Sequence, residues 1–254
     1  IKVKKQQNIF LIFIILTLIL IFGMLVSGNR IPLIMFLVLF FLSFILLKKM
    51  RIFILIFAFS SSLIFLLLIN TNLNVKHHFG HFNNQLKLFS NFVATILIEE
   101  KSSEITEKDY VIKLDNKLVQ IPNVWLKEFY YGYKTWKLNT LFGGGIKSFK
   151  INCPKTKVLN CPMHPHNYYL EILSDLGLIG FLIIGILIIS IFYAAFSTKI
   201  IFKYNLIIPF VSLLFVEFFP IKTTGSFFTT GNATFNFLII AIVISIINSK
   251  KNKL

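Results

Sequence analysis

Residues 9–26 read Ile-Phe-Leu-Ile-Phe-Ile-Ile-Leu-Thr-Leu-Ile-Leu-Ile-Phe-Gly-Met-Leu-Val, with no charge anywhere in the run. Apolar side chains follow one another with neither a helical nor a strand period, so no face is set aside for water. A helix of about 17–25 such residues crosses the roughly 30 Å hydrocarbon core of a bilayer, where its backbone groups find partners within the helix itself. Runs of the same kind occupy Ile31–Leu47, Ile52–Ile69 and Tyr169–Phe196, the last becoming continuously apolar at Leu176. Leu206–Phe219 and Ala233–Ile247 are shorter and draw on interfacial residues to span. The expected fold class is an all-α polytopic membrane protein of about six transmembrane helices.

Composition agrees. Hydrophobic residues make up 56% of the 254, thirty of them Phe, and only 14% are charged. Soluble domains carry about 25% charge, so an ordinary soluble enzyme, a disordered chain and a disulfide-knotted mini-protein are all excluded. The net charge of +16 lies mainly between the apolar blocks, where cations set orientation and attract anionic membrane lipids rather than nucleic acid.

Eleven cations (Lys2, Lys4, Lys5, Lys48, Lys49, Arg51, Lys199, Lys203, Lys250, Lys251 and Lys253) fall on one set of span ends, against Arg30 and Lys222 in the short connections of the other. Short basic loops stay in the cytoplasm. Both termini are therefore expected inside, with Arg30, a long loop and the Thr223–Asn232 connection outside. The expected organisation is three spans over 1–69, a periplasmic loop over 70–167 and three spans over 168–254. Within the loop, Leu86–Ile98 and Val124–Leu141 read as short amphipathic helices suited to a membrane surface.

Several motifs carry chemistry. Ser27-Gly28-Asn29-Arg30 is a hairpin turn whose arginine either snorkels to water or offers a planar fork to a phosphate. Gly143-Gly144-Gly145 before Lys147 is a helix stop or a phosphate-binding nest. Asn167 is a strong N-cap for the helix that follows. Glu171 and Asp175 complement that helix's dipole, and its N-terminus is a ready anion site. His166 stands at the mouth of the same helix and titrates near neutrality when unperturbed.

Cys153 and Cys161 suit a disulfide in an oxidising compartment. With His164 and His166 they also read as a zinc set, although C-x7-C-x2-H-x-H follows no standard finger spacing. His77, His78 and His81 form an interfacial cluster or a weaker metal candidate. Glu217, an acid in an apolar run, calls for a partner in Lys222 or Arg30.

Taken in order, Ser27–Arg30, Leu141–Phe149 and Pro165-His-Asn-Tyr-Tyr-Leu-Glu-Ile-Leu-Ser-Asp-Leu-Gly-Leu-Ile-Gly180 resemble the conserved membrane domain of the O-antigen ligase/polymerase superfamily. The resemblance covers nearly the whole chain and implies that these spans are the C-terminal half of a larger protein. It implies an inverting, metal-independent glycosyltransferase of the bacterial inner membrane, with no cofactor. The donor would be a polyprenyl-diphosphate-linked glycan, and the acceptor lipid A-core or another glycan.

Arg30 matches the family's diphosphate-binding arginine and His166 its histidine, with His164 assisting. Asn167, Lys134, Lys147 and Glu171 fall where substrate would bind. Many relatives carry a further arginine just before a tryptophan like Trp136. Here that region reads Tyr130-Tyr-Gly-Tyr-Lys134-Thr-Trp136, and Lys134 or Lys137 supplies only a point charge. A transporter of lipid-linked sugars is the alternative from another class. Inverted repeats, broken helices and midplane charges would favour it, and the sequence displays none.

Overall fold

The computed structural model describes residues 2–27, 30–80, 103–106, 111–114, 117–120, 124–156, 158, 161–197, 199–220, 222 and 225–251. They fall into two compact units, Ile1–Asn83 and Asn84–Leu254. The helix expected over Leu86–Ile98 lies outside the described residues, as do Gly28, Asn29 and His81.

The first unit consists of α1 (Lys2–Ser27), α2 (Arg30–Leu46) and α3 (Arg51–Thr71), followed by a further helical stretch over 73–80. Its small core joins Ile21, Leu25 and Phe57 to Phe36 and Phe40, with Phe40 stacked on Phe57 at 4.6 Å between ring centroids. Large apolar side chains such as Ile19, Phe41, Ile52 and Phe59 point outward. That arrangement would be unstable in water and suits hydrocarbon. Hydroxyls inside the run are satisfied one turn back, Ser60, Ser61 and Ser62 each donating to a carbonyl of α3. Arg51 donates from Nε to the Phe44 carbonyl at 3.0 Å and lies over the Phe44 ring, tying the end of α2 to the start of α3.

The second unit opens with three short strands, β1 (Ser103–Thr106), β2 (Val111–Leu114) and β3 (Lys117–Gln120). They form an antiparallel meander in which Ile105 pairs with Ile112 and Ile112 with Val119. The sequence reading named only short helices in the long loop and did not foresee these strands, whereas the helix expected from Val124 is present over Val124–Trp136. Then come α4 (Val124–Trp136), α5 (Phe149–Asn152), α6 (Tyr168–Ser197), α7 (Ile200–Lys203), α8 (Ile208–Glu217) and α9 (Thr230–Lys251). Among the described residues three helices are long and apolar enough to cross a membrane: Lys48–Thr71, Tyr168–Ser197 and Thr230–Ser249. Ile14–Ser27, Ile31–Leu46 and Asn205–Glu217 are shorter apolar helices at the other expected positions.

Helix α6 is broken, contrary to the unbroken run read from the sequence. Gly177 takes φ 67° and ψ −168°, a conformation open to glycine and closed to residues with a Cβ. A break in a helix frees carbonyls before it and N–H groups after it, and all of these need partners away from water. The segment 140–145 supplies them. Gly144 and Gly145 donate to the carbonyls of Ser174 and Asp175, while Leu178 and Ile179 donate to those of Thr140 and Leu141. The backbones touch at two glycines: a Cβ on Gly177 would stand 2.3 Å from the Leu141 carbonyl oxygen, and one on Gly143 would stand 2.4 Å from that of Asp175. The loop between α4 and α5 is thereby built into the helix.

Candidate active site

Helix α4 carries Glu128 and Gly132 one turn apart, and hence on one face. Gly132 is where that face meets the turn before α6: a Cβ there would lie 2.9 Å from the Pro165 Cβ and 3.0 Å from the Leu170 Cβ. Neither neighbour has a flexible end to swing aside. Gly132→Ala is therefore expected to lower the thermal unfolding midpoint despite alanine's better helix propensity. An overpacking cost of about 1–3 kcal/mol outweighs a propensity gain of about 1 kcal/mol. A midpoint equal to wild type or higher would show that the close approach is not needed.

The turn itself is fixed from several sides. Asn167 caps α6, its Oδ1 accepting from the N–H groups of Tyr169 at 3.0 Å and Leu170 at 3.2 Å. Its Nδ2 donates to the Pro220 carbonyl at 2.9 Å and to that of Lys222. Both ends of the amide thus join α6 to the connection after α8. Tyr168 donates to Glu217 Oε1 at 3.0 Å, and Lys222 pairs with Glu217 Oε2 at 2.6 Å. Lys222 is one of the two partners foreseen for Glu217. Upstream, Cys153 and Cys161 are joined by a disulfide that closes the segment leading to His164.

Between these anchors the chain turns sharply, and His166 adopts φ 50°. Histidine is one of the few residues other than glycine that enter the left-handed region with any frequency. The rings of His164 and His166 lie 4.1 Å apart. His166 Nε2 stands 3.7 Å from Glu128 Oε1, in ion-pair range, with the two side chains 27% and 13% exposed. Burial pushes the Glu128 carboxyl up to about 7 against the opposing pull of Lys127. Burial also holds the His164 imidazole below its ordinary value, and His166 adds to that effect. Among the described residues, Glu128 Oε2 and His164 Nε2 are buried without a hydrogen-bond partner.

The other acids of this unit are used differently. Glu171 accepts from the Ser226 hydroxyl and the Phe227 N–H, holding the connection before α9. Asp175 accepts from the N–H groups of Lys147 at 2.6 Å and Phe149 at 3.2 Å, and from the Ser148 hydroxyl. This corrects two readings of the sequence. The N–H groups of Gly143, Gly144 and Gly145 go to backbone carbonyls, and the anion held just after them, by Lys147, Ser148 and Phe149, is the protein's own Asp175. The first N–H groups of α6 are likewise taken, by Asn167. Glu171 and Asp175 act as clasps between segments rather than as complements to a helix dipole alone.

Lys147 projects from a residue at φ 61° and is exposed. Lys134 lies over the Tyr130 ring at 5.5 Å, and Lys137 over Trp136 at 5.1 Å. His164, His166, Asn167, Lys134, Lys147 and Glu171 thus belong to the second unit, and Arg30 opens α2 of the first. Glu128 escaped the sequence reading altogether. It stands 38 positions before His166, with no local pattern to mark it; its signal was being the lone acid in an aromatic and basic helix.

A family model described as O-Antigen ligase matches residues 15–185, more than half of the chain. The chain belongs to that family. No curated protein and no solved structure matches it. As a member of the O-antigen ligase family, it is a bacterial membrane enzyme of ligase or polymerase type. The match takes in Arg30, Glu128, His164 and His166 together with the break at Gly177. Ser226 and Phe227, which hold Glu171, lie beyond its end.

Proposed function

We propose that this protein transfers a glycan from a polyprenyl-diphosphate donor to an acceptor hydroxyl at the periplasmic face of the inner membrane. The termini and the basic loops are cytoplasmic in this reading. Ligation to lipid A-core is the favoured reaction, and polymerisation of lipid-linked repeats is the alternative within the family. The observation that carries it is the His166 turn, an imidazole held between a largely buried carboxyl and a second, partly buried imidazole at the mouth of α6.

The reaction needs two things from the protein. His166 takes the proton of the acceptor hydroxyl as that oxygen attacks the anomeric carbon. The bond from that carbon to the diphosphate breaks, and the diphosphate leaves with the electron pair. Arg30, with Lys134 and Lys147 as point charges, balances the leaving group's charge. A single displacement of this kind inverts the anomeric centre and calls for no metal.

The broken helix at Gly177 bears on the transporter reading, because such breaks often hold a substrate. Here the backbone groups flanking the break bond to residues 140–145, which favours the enzyme. The test uses the full protein in vesicles with a polyprenyl-diphosphate-linked glycan and lipid A-core, in the presence of EDTA. Formation of an inverted glycosidic linkage is expected. Movement of the donor across the vesicle membrane without bond formation would replace this reading with transport. Deletion followed by lipopolysaccharide electrophoresis separates the two family reactions: loss of every long chain on core marks a ligase, and a single repeat left on core marks a polymerase.

A further inference from the structure

Four carboxylates among the described residues of the second unit are largely withdrawn from water, and they fall into two kinds. Glu171, Asp175 and Glu217 each accept hydrogen bonds from donors on other segments, so each gives the fold something in return for its burial. Glu128 accepts none of that kind. Its Oε2 is buried without a partner, and its Oε1 faces His166 Nε2 at 3.7 Å. A buried acid with so little compensation costs the fold more than it contributes. Such an arrangement persists where chemistry needs it. The close approach at Gly132, one turn along α4, is what brings the carboxyl to the imidazole.

We infer that Glu128 is a positioning residue of the transfer reaction: its carboxylate holds the His166 ring and balances the charge that the ring gains on taking the acceptor's proton. The inference rests on the glycan-transfer reading and deepens it by naming the second half of the proton-handling pair. The proton passes from the acceptor oxygen to His166 and leaves to water after the diphosphate has departed. Glu128 stays anionic throughout. Among the described residues, Lys127 on the same helix and His164 on the same turn are ionisable groups near the pair.

Two variants of the full protein in vesicles test this with the same glycan donor. Glu128→Gln is expected to lower kcat by about 10²–10⁴-fold with the donor KM within about two-fold of wild type. Glu128→Asp recovers part of the rate. The wild-type rate falls as pH drops through about 7, where Glu128 gains a proton, and in the Gln variant the acid limb that remains, set by His166 alone, moves to lower pH.

The stability readout separates this role from a structural one. A carboxyl whose folded-state value is raised weakens the fold as pH rises through that value. At pH 8 the Gln variant is therefore expected to unfold at or above the wild-type temperature, whereas a merely structural acid would lower it. Wild-type kcat in Glu128→Gln, or a loss of kcat matched by a lowered unfolding temperature, overturns the inference. Failure of the wild type itself to transfer overturns the transfer reading instead. In that event nitrogen-15 histidine spectra still judge the pairing. The His166 imidazole must titrate lower in Glu128→Gln than in wild type, and an unmoved titration ends the proposal.

Discussion

His166→Asn is expected to reduce glycan transfer by about 10²–10⁴-fold, the usual contribution of a positioned acid or base, while leaving the protein folded. Asparagine is the informative replacement because of the backbone. At φ 50° an ordinary side chain crowds the neighbouring carbonyl, at about 1–2 kcal/mol. Alanine would therefore mix a loss of chemistry with a loss of turn geometry. Asparagine adopts the left-handed region readily and has no group that takes a proton near neutrality. Glycine relieves the backbone further and forms the second arm. Both variants should keep the Cys153–Cys161 disulfide and a near-wild-type unfolding temperature. Transfer within ten-fold of wild type in either variant would remove His166 from the proton path.

The apolar helices were legible because the bilayer imposes a length and a polarity on each of them independently. Ile52–Ile69 needs no knowledge of the rest of the chain to be read, and α3 over Arg51–Thr71 agrees closely. Asn167 was legible for a similar reason, since an N-cap is a local preference and its Oδ1 meets the next N–H groups in sequence. The β-meander was missed although Val111–Leu114 and Lys117–Gln120 stand two residues apart, a hairpin spacing. The segment is rich in charge, and strands of four residues carry too little alternation to stand out.

The break at Gly177 and the role of Glu128 were illegible for a deeper reason. Each depends on a segment remote in sequence. Gly177 within Leu176–Gly180 reads as one more tolerated glycine in an apolar helix until Gly143 is known to press against it. Glu128 is an unmarked acid in its helix until Gly132 brings that helix against Pro165. Backbone satisfaction at the break and compensation at the buried acid are properties of the assembled unit, so no window of sequence contains them.

Asp175→Ala is expected to be the most damaging substitution to the fold of the second unit, at about 3–5 kcal/mol. Asp175 is fully buried, and its carboxylate is the acceptor for the Lys147 N–H, the Ser148 hydroxyl and the Phe149 N–H. Leaving a buried donor without an acceptor costs about 1–3 kcal/mol, and bonds to a charged group sit at the upper end of the range. Lys147 is exposed enough for water to replace the carboxylate. Ser148 and Phe149 are not, being 8% and 1% exposed.

Phe149 then anchors the cluster of Tyr131, Cys153 and Val158, so the loss spreads from the loop to α4 and the disulfide segment. Asp175→Asn should rescue little, because an amide offers one acceptor oxygen and turns its N–H groups toward donors that need the second. Thermal unfolding of the purified protein in detergent measures the effect, and protease cleavage near residues 140–150 reports where it begins. An Asp175→Ala protein as stable and as protected as wild type would mean that the 140–149 segment holds its place through the glycine-to-backbone bonds at Ser174 and the helix break alone.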